Sequence, residues 1–273
     1  EDALKAAAEG DTIYLKTNVT LSASLGVNKS ITIDGANGSD GKWTISASME
    51  TVFSVSGSAV FKLQNVNITT NSWYAVYLTG AAQVTLDNCV VTGTGSRVLC
   101  AQGATGSMTI NNSTISDGDA NNGTILIWEC GGGTFAFSVS DSTLELGEST
   151  TAMIWVSGGS IASITVEDSK LTGVHGVWNQ KAGIGSVTLS GVEFDVTGAV
   201  LRDNVSSNIT ITGNTTVKTS HTLISAASTV SFNGYTAENF IVAGSGAWYA
   251  YDTLDAALTA GHNLSAIRTY SEK

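Results

Sequence analysis

A short pattern recurs along almost the whole chain and limits it to very few folds. An apolar residue is followed by a polar one, a second apolar one, any residue and a turn-former, with a further apolar residue seven positions after the first. It reads Phe61-Lys62-Leu63-Gln64-Asn65 with Ile68, Val84-Thr85-Leu86-Asp87-Asn88 with Val91, and Met108-Thr109-Ile110-Asn111-Asn112 with Ile115. It continues as Phe137-Ser138-Val139-Ser140-Asp141 with Leu144, Ile164-Thr165-Val166-Glu167-Asp168 with Leu171, and Val187-Thr188-Leu189-Ser190-Gly191 with Phe194. Looser copies begin at Ile31, Ile209 and Val230. From Phe61 onward, successive copies start roughly 21 to 29 residues apart, the spacing of a repeat architecture. Alternation over so few residues is a strand signal rather than a helix signal. The fifth position holds Asn, Asp or Gly in every copy, and these residues tolerate the left-handed backbone of a tight corner.

A second strand precedes each copy, at Val52–Val55, Ala75–Leu78, Val98–Cys100, Ile125–Trp128, Ile154–Val156 and Gly176–Trp178. Two or three short strands and a corner make one coil of a solenoid, each strand pairing with its counterpart in the next coil. About nine coils at about 4.8 Å each give a rod of roughly 43 Å. A β-sandwich would account for the strands but not for the constant place of the corner. The solenoid predicts a core of stacked columns containing Ile68, Val84, Leu86, Val91, Ile110, Val139, Val166 and Leu189. It also predicts that Asn65, Asn88 and Asn112 stack at the corner, their amides donating and accepting along the column and satisfying polar groups that the corner removes from the strand ladder, with Asp141 and Asp168 extending it by accepting backbone N–H bonds. Gly191, Gly213 and Gly234 continue that column.

Three regions follow: an N-terminal cap helix over residues 1–11, a coil stack over 12–246, and a C-terminal cap or the start of a following module over 247–273. In the first helix, Glu1–Ala8, the residues Leu4, Ala7 and Ala8 share a face and Gly10 is the stop. In the second, Asp252 is the expected N-cap, Leu254, Ala257 and Leu258 repeat that spacing, and Gly261 ends it. Short strands are expected after the helices, at Thr12–Leu15 and Leu264–Ile267. The chain reads as part of a longer parent.

From about Thr12 to Val242 this pattern resembles the right-handed parallel β-helix proteins, which include pectate-lyase-like folds and bacterial surface repeat proteins. The Asn65, Asn88, Asn112, Asp141, Asp168 series looks like the asparagine corner of that family. The resemblance implies an all-β, right-handed solenoid and an extracellular or bacterial cell-surface location. It does not imply one activity, because the fold carries lyases, hydrolases, adhesins and phage fibres.

Composition narrows the partners. The net charge of -11 leaves no basic surface to track phosphates, which argues against nucleic acid, and there is no span for membrane insertion. Acidic polysaccharides would be repelled unless a cation bridged them. Charged residues make up 13%, against roughly 25% in an average globular protein. Cys89, Cys100 and Cys130 have no metal-ligand spacing and read as buried apolar residues, with a Cys89–Cys100 disulfide left open.

For a lyase, the resemblance requires converging carboxylates around calcium and a basic residue to take a proton. The best oxygen-rich loop is Ser116–Gly123, with Asp117, Asp119, Asn121 and Asn122; a solvated polar turn is the competing reading. For a hydrolase, paired carboxylates should lie roughly 5–9.5 Å apart. Glu129 and Asp203 both follow the first strand of a coil, but three coils separate them. Asp168 is at the corner, and Val174-His175-Gly176 only approximates the Gly-His-Gly of polygalacturonase-like hydrolases. His221 and His262 stand alone. No cofactor is expected, with Ca2+ as the single ion a loop could hold, and no catalytic residue is assigned.

The first strand of each coil offers more. With Val76, Val98, Ile125, Ile154 and Val177 pointing in, their neighbours Tyr77, Leu99, Leu126, Trp155 and Trp178 point out, and Leu201 and Ile224 join that column. Tyr74 and Trp128 lie beside it. Either a long loop (Asn112–Thr124 or Thr143–Ala152) covers this strip, or the strip is a contact face for a glycan or a host or matrix protein. On the second reading Tyr77, Trp128, Trp155 and Trp178 supply aromatic surface, and Asn179, Gln180 and Asp203 supply hydrogen bonds. The function expected is a non-catalytic adhesin-like surface module or rigid stalk. The alternatives are a carbohydrate-active enzyme and a phage tail fibre.

Overall fold

The computed structural model describes the chain apart from residues 39–40, 96, 118–122, 148–151, 204–207, 213–214, 218–220, 226–228, 232–238, 245–246, 252 and 271–273. For Asp203 and most strand residues from Thr212 onward it describes the backbone alone. The strands form a parallel solenoid with three faces. Face A carries the recurring pattern, in strands such as Val60–Gln64, Gln83–Asp87, Ser107–Asn111 and Ala136–Ser140. Face B follows the corner and, among the described residues, holds nine strands, from Val19–Leu21 to Thr216–Val217. Face C precedes A, in strands such as Tyr74–Leu78, Leu99–Gln102, Ile125–Cys130 and His175–Asn179. One long strand, Ala152–Glu167, passes from face C into face A.

The register is the one the repeat predicts. Phe61, Val84, Met108, Phe137, Ile164, Val187, Ile209 and Val230 pair in sequence along face A. On face B, Ile68, Val91, Ile115, Leu144, Leu171 and Phe194 do the same. Each inner residue therefore packs on its counterpart one coil away, and the eight expected core residues are all buried to 1% exposure or less. Aromatic residues fill the wider layers, as where Phe53 meets Phe61 at 5.2 Å between ring centroids.

The A–B corner is where expected and is built differently. Asn65, Asn88, Asn112, Asp141, Asp168 and Gly191 all have left-handed φ, between 43° and 64°. Asn88 Nδ2 donates to Asn65 Oδ1 at 2.8 Å, and Asn65 Nδ2 donates to Asp34 Oδ1 at 3.0 Å. Asn88, Asn112, Asp141 and Asp168 are exposed, so this column lies at the surface. In three coils the next residue supplies a buried bond between coils. Ser113, Ser142 and Ser169 are buried, and their hydroxyls accept the backbone N–H of Cys89, Ser113 and Ser142 one coil earlier, at 3.0, 3.0 and 3.1 Å. Each hydroxyl also donates to the carbonyl two residues back, all at 2.6 Å. The corner turns these backbone groups out of the strand ladder, and a hydroxyl, as donor and acceptor together, satisfies both. Gly213 and Gly234 lie outside the described residues.

Both ends depart from the expected boundaries. The first helix, α1 (Asp2–Ala6), is shorter than Glu1–Ala8, because Ala7 is already extended and the Ala8 N–H donates to Asp11 Oδ2. Leu4 joins the core, with Ala7 packed against it, and Ala8 is exposed. The strand after α1 is Thr12–Tyr14. Parallel pairing stops with Thr229–Ser231, short of residue 246. Beyond it, Asn239–Gly244, Ala247–Tyr251 and Ile267–Tyr270 pair antiparallel, and Ala247–Tyr251 joins the face C strand His221–Ser225. The second helix, α2 (Leu254–Thr259), is capped by the Thr253 hydroxyl, which accepts from the Ala256 N–H at 3.1 Å. Of its apolar residues only Ala257 is buried; Leu254 and Leu258 are exposed. Residues Leu264–Ala266, expected as strand, form a 3-10 turn.

Replacing Leu86 with Asp buries an unpaired charge between two coils, and thermal unfolding followed by circular dichroism should show no cooperative transition. Ser142→Ala strands the buried Ser113 N–H and should cost about 1–3 kcal/mol in denaturant unfolding. Asn88→Ala loses left-handed tolerance and the exposed bond to Asn65, so it should cost about 1–2 kcal/mol, and Asn88→Gly, which keeps the backbone freedom, less.

Candidate contact face

Face C presents alternating residues outward, but the outward column differs from the expected one by a residue in two places. The N–H groups of Ala75 and Val76 both reach Val98 O, and those of Val98 and Leu99 both reach Thr124 O. An extra residue before each strand shifts the alternation, and a shift of one residue exchanges faces. Leu99 therefore pairs with Val76 and points in, while Cys100 pairs with Tyr77 and points out. Further on, Leu201 and then Ile224 pair in register with Val177, the inner column, and Arg202 pairs with Trp178. The outward column is Tyr77, Cys100, Leu126, Trp155, Trp178 and Arg202.

This column is partly covered. Cys100 and Leu126 are buried together with Tyr74, and Tyr77 and Trp155 pack against them. Tyr74 and Tyr77 lie 5.2 Å apart between centroids, and the Tyr77 hydroxyl donates to Gln102 Oε1. Beyond this cluster, Trp155 and Trp178 stack at 5.5 Å with an interplanar angle of 10°. A guanidinium lies over each ring, Arg97 at 5.9 Å from Trp155 and Arg202 at 4.5 Å from Trp178. The indole Nε1 atoms of Trp155 and Trp178 are buried and have no acceptor among the described residues.

A second outward column runs beside the first through Gln102, Trp128 and Ser157, and Gln180 joins it by accepting from the Ser157 hydroxyl at 3.0 Å. Trp128 is the exposed aromatic of this column, at 37%. It is followed by Glu129, whose φ of 49° puts a glutamate where the adjoining coils have Gly103 and Gly158. Asn179 does not belong to the surface. It is fully buried, and its side chain donates to Ala182 O and accepts from Ala182 N at 3.0 and 2.9 Å. Asp203 pairs in register with Asn179, and its side chain lies outside the described residues. The structure thus gathers Tyr77, Trp128, Trp155, Trp178 and Gln180 on one face, removes Asn179, and adds Arg97 and Arg202. The arginines were missed because Arg97 lies just before the bulged strand and the outward place of Arg202 depends on the pairing of Leu201 with Val177. Strand spacing alone reveals neither.

The residues considered for catalysis or metal binding have other surroundings. His175 Nδ1 accepts from the Ala199 N–H at 2.8 Å, and burial, then the nearby Arg202 charge, hold its pKa below the ordinary value. Asp117 is buried in face B, in register with Gly93 and Leu146, while Asp119 lies outside the described residues. Among the described residues, no group of three or more His, Cys, Asp or Glu could hold a metal. The expected option of a Cys89–Cys100 disulfide is not realised: Cys89, Cys100 and Cys130 are free and buried. Burial pushes the Cys89 and Cys130 thiols up to about 11 and Cys100 to about 12.

This coil stack is the architecture described by the "Right handed beta helix region" family, whose model matches residues 51–253, well over half of the chain. The chain belongs to that right-handed β-helix family. It is also similar to the crystal structure of pectate lyase Pel9A, at 15% identity over 86% of this chain and 67% of that one, with a TM-score of 0.27. At that score the likeness bears on no individual residue. None of the curated proteins matches the chain. No helix among the described residues is long and apolar enough to cross a membrane, which leaves β-barrels unaddressed.

Protonated, buried thiols do not react. A disulfide-exchange reagent at pH 8 should label none of the three cysteines in the native protein and all three in denaturant. Rapid labelling under native conditions would mean that face C or the core opens.

Proposed function

We propose that the chain is a non-catalytic, extracellular β-helix module of an adhesin-like surface protein, which contacts a glycan or a protein through the outer side of face C. The observation that carries this reading is a concentration of contact-forming side chains. Three of the six tryptophans, Trp128, Trp155 and Trp178, and two of the three arginines, Arg97 and Arg202, come together on that side. Trp, Tyr and Arg are the residues that carry most binding energy at interfaces. The outward column of face A holds Lys62, Thr85, Thr109, Ser138, Thr165 and Thr188, a run of small hydroxyls with one paired lysine and no aromatic side chain. The rod below face C is a continuous core, so the face is held rigidly and a partner would meet it pre-formed.

Glycan and extracellular-matrix protein arrays test this reading. The intact chain should bind at least one class of probe, and a Trp128→Ala, Trp178→Ala double variant with an unchanged melting temperature should lose at least about tenfold in affinity, the loss of one buried aromatic contact or more. Equal binding by the variant would move the contact surface off face C.

A further inference from the structure

We propose that the Trp155, Trp178 and Arg202 segment of face C docks an acidic polypeptide segment, an inference that rests on face C being the contact face. The argument begins with an imbalance. Every polar atom that these three side chains offer is a donor, since indole and guanidinium groups have no acceptor. The two indole N–H groups are buried with nothing among the described residues to receive them. Arg202 takes part in neither ion pair of the described residues, which are Lys62–Asp87 and Lys170–Glu193. Glu129, the exposed carboxylate on the adjoining corner, is not paired with it either. A chain of net charge -11 therefore has one outward column whose unmet requirement is for acceptors. Ionised carboxylates supply acceptors only, and their bonds to a guanidinium are stronger than neutral ones.

The same geometry selects a polypeptide over a sugar. A sugar ring docks on an open aromatic face. Trp155 and Trp178 turn their faces to each other at 5.5 Å, and the guanidinium groups of Arg97 and Arg202 lie over them. What remains for a partner is the exposed part of the ring edges and the N–H groups of a guanidinium held over a ring, which receive a carboxylate side chain. Stacking also holds the Arg202 fork in one orientation before the partner arrives, which lysine could not reproduce.

The test titrates the full chain with a short poly-glutamate peptide, following tryptophan emission, at about 0.15 M salt so that the overall negative charge is screened beyond about 8 Å. Heparin, polygalacturonate and a neutral glucan serve as parallel probes. Poly-glutamate should bind and shift the emission. Arg202→Gln should weaken binding at least about tenfold, Arg202→Lys should recover little of it, and Lys16→Gln, at an exposed lysine near the N-terminal end, should behave as the unaltered chain; circular dichroism melts verify that each variant folds. Absence of poly-glutamate binding, indifference to Arg202→Gln, or an equal loss in Lys16→Gln overturns the proposal. Binding of heparin, polygalacturonate or the glucan alone, lost in the Trp128→Ala, Trp178→Ala variant, also overturns it while leaving face C as the contact face. Silence of every probe, on the arrays as well, removes both readings.

Discussion

The strand-ladder hydrogen bonds of the parallel stack run to the coil before or the coil after, and the rest of the molecule answers to that constraint. Because strands pair residue for residue, an inner side chain always rests on the equivalent side chain of the next coil. Apolar columns such as Leu63, Leu86, Ile110, Val139, Val166 and Leu189 are the direct consequence. A polar residue in such a column would be buried in company that cannot bond it, unless the local backbone turns to meet it. Asn179 is the example: it sits in an inner column, donates to Ala182 O and accepts from Ala182 N.

Corners are where this ladder must be interrupted, and the structure resolves the interruption with two adjacent residues of different chemistry. The exposed Asn, Asp or Gly absorbs the left-handed turn, and the buried Ser that follows restores the lost hydrogen bonds between coils. Conformation and hydrogen bonding are thus assigned to separate positions. Where Cys89 replaces the serine, its thiol reaches the Leu63 and Asp87 carbonyls at 3.4 Å. A thiol this deeply buried behaves as a small core residue with a weak donor, not as a nucleophile.

Outward positions are free of the stacking requirement on the inner side, yet they inherit its spacing. On face C that spacing brings Trp155 over Trp178 and lets arginine side chains lie across the rings. A strip that might have been an open aromatic platform becomes a stack with its faces occupied, its N-terminal part closed over Cys100 and Leu126. Contact chemistry then shifts from ring faces to ring edges and guanidinium groups, and this bears directly on which partners suit the face.

The solenoid, its corner residues and its core columns were legible in the sequence, because period-two alternation and a turn-former at a constant offset are local properties that parallel stacking repeats in every coil. The serine ladder was present in the same rows, as Asn112-Ser113, Asp141-Ser142 and Asp168-Ser169, but only its burial in the structure separates it from the exposed corner beside it. What the tertiary structure alone decided was the register at the edges of that pattern. The bulge before Leu99 exchanged Leu99 for Cys100 on the outer side, the pairing of Leu201 with Val177 set Arg202 over Trp178, and the last strands turned antiparallel. Each depends on which carbonyl of a neighbouring coil a backbone N–H reaches, a contact between residues more than twenty apart that no local pattern encodes.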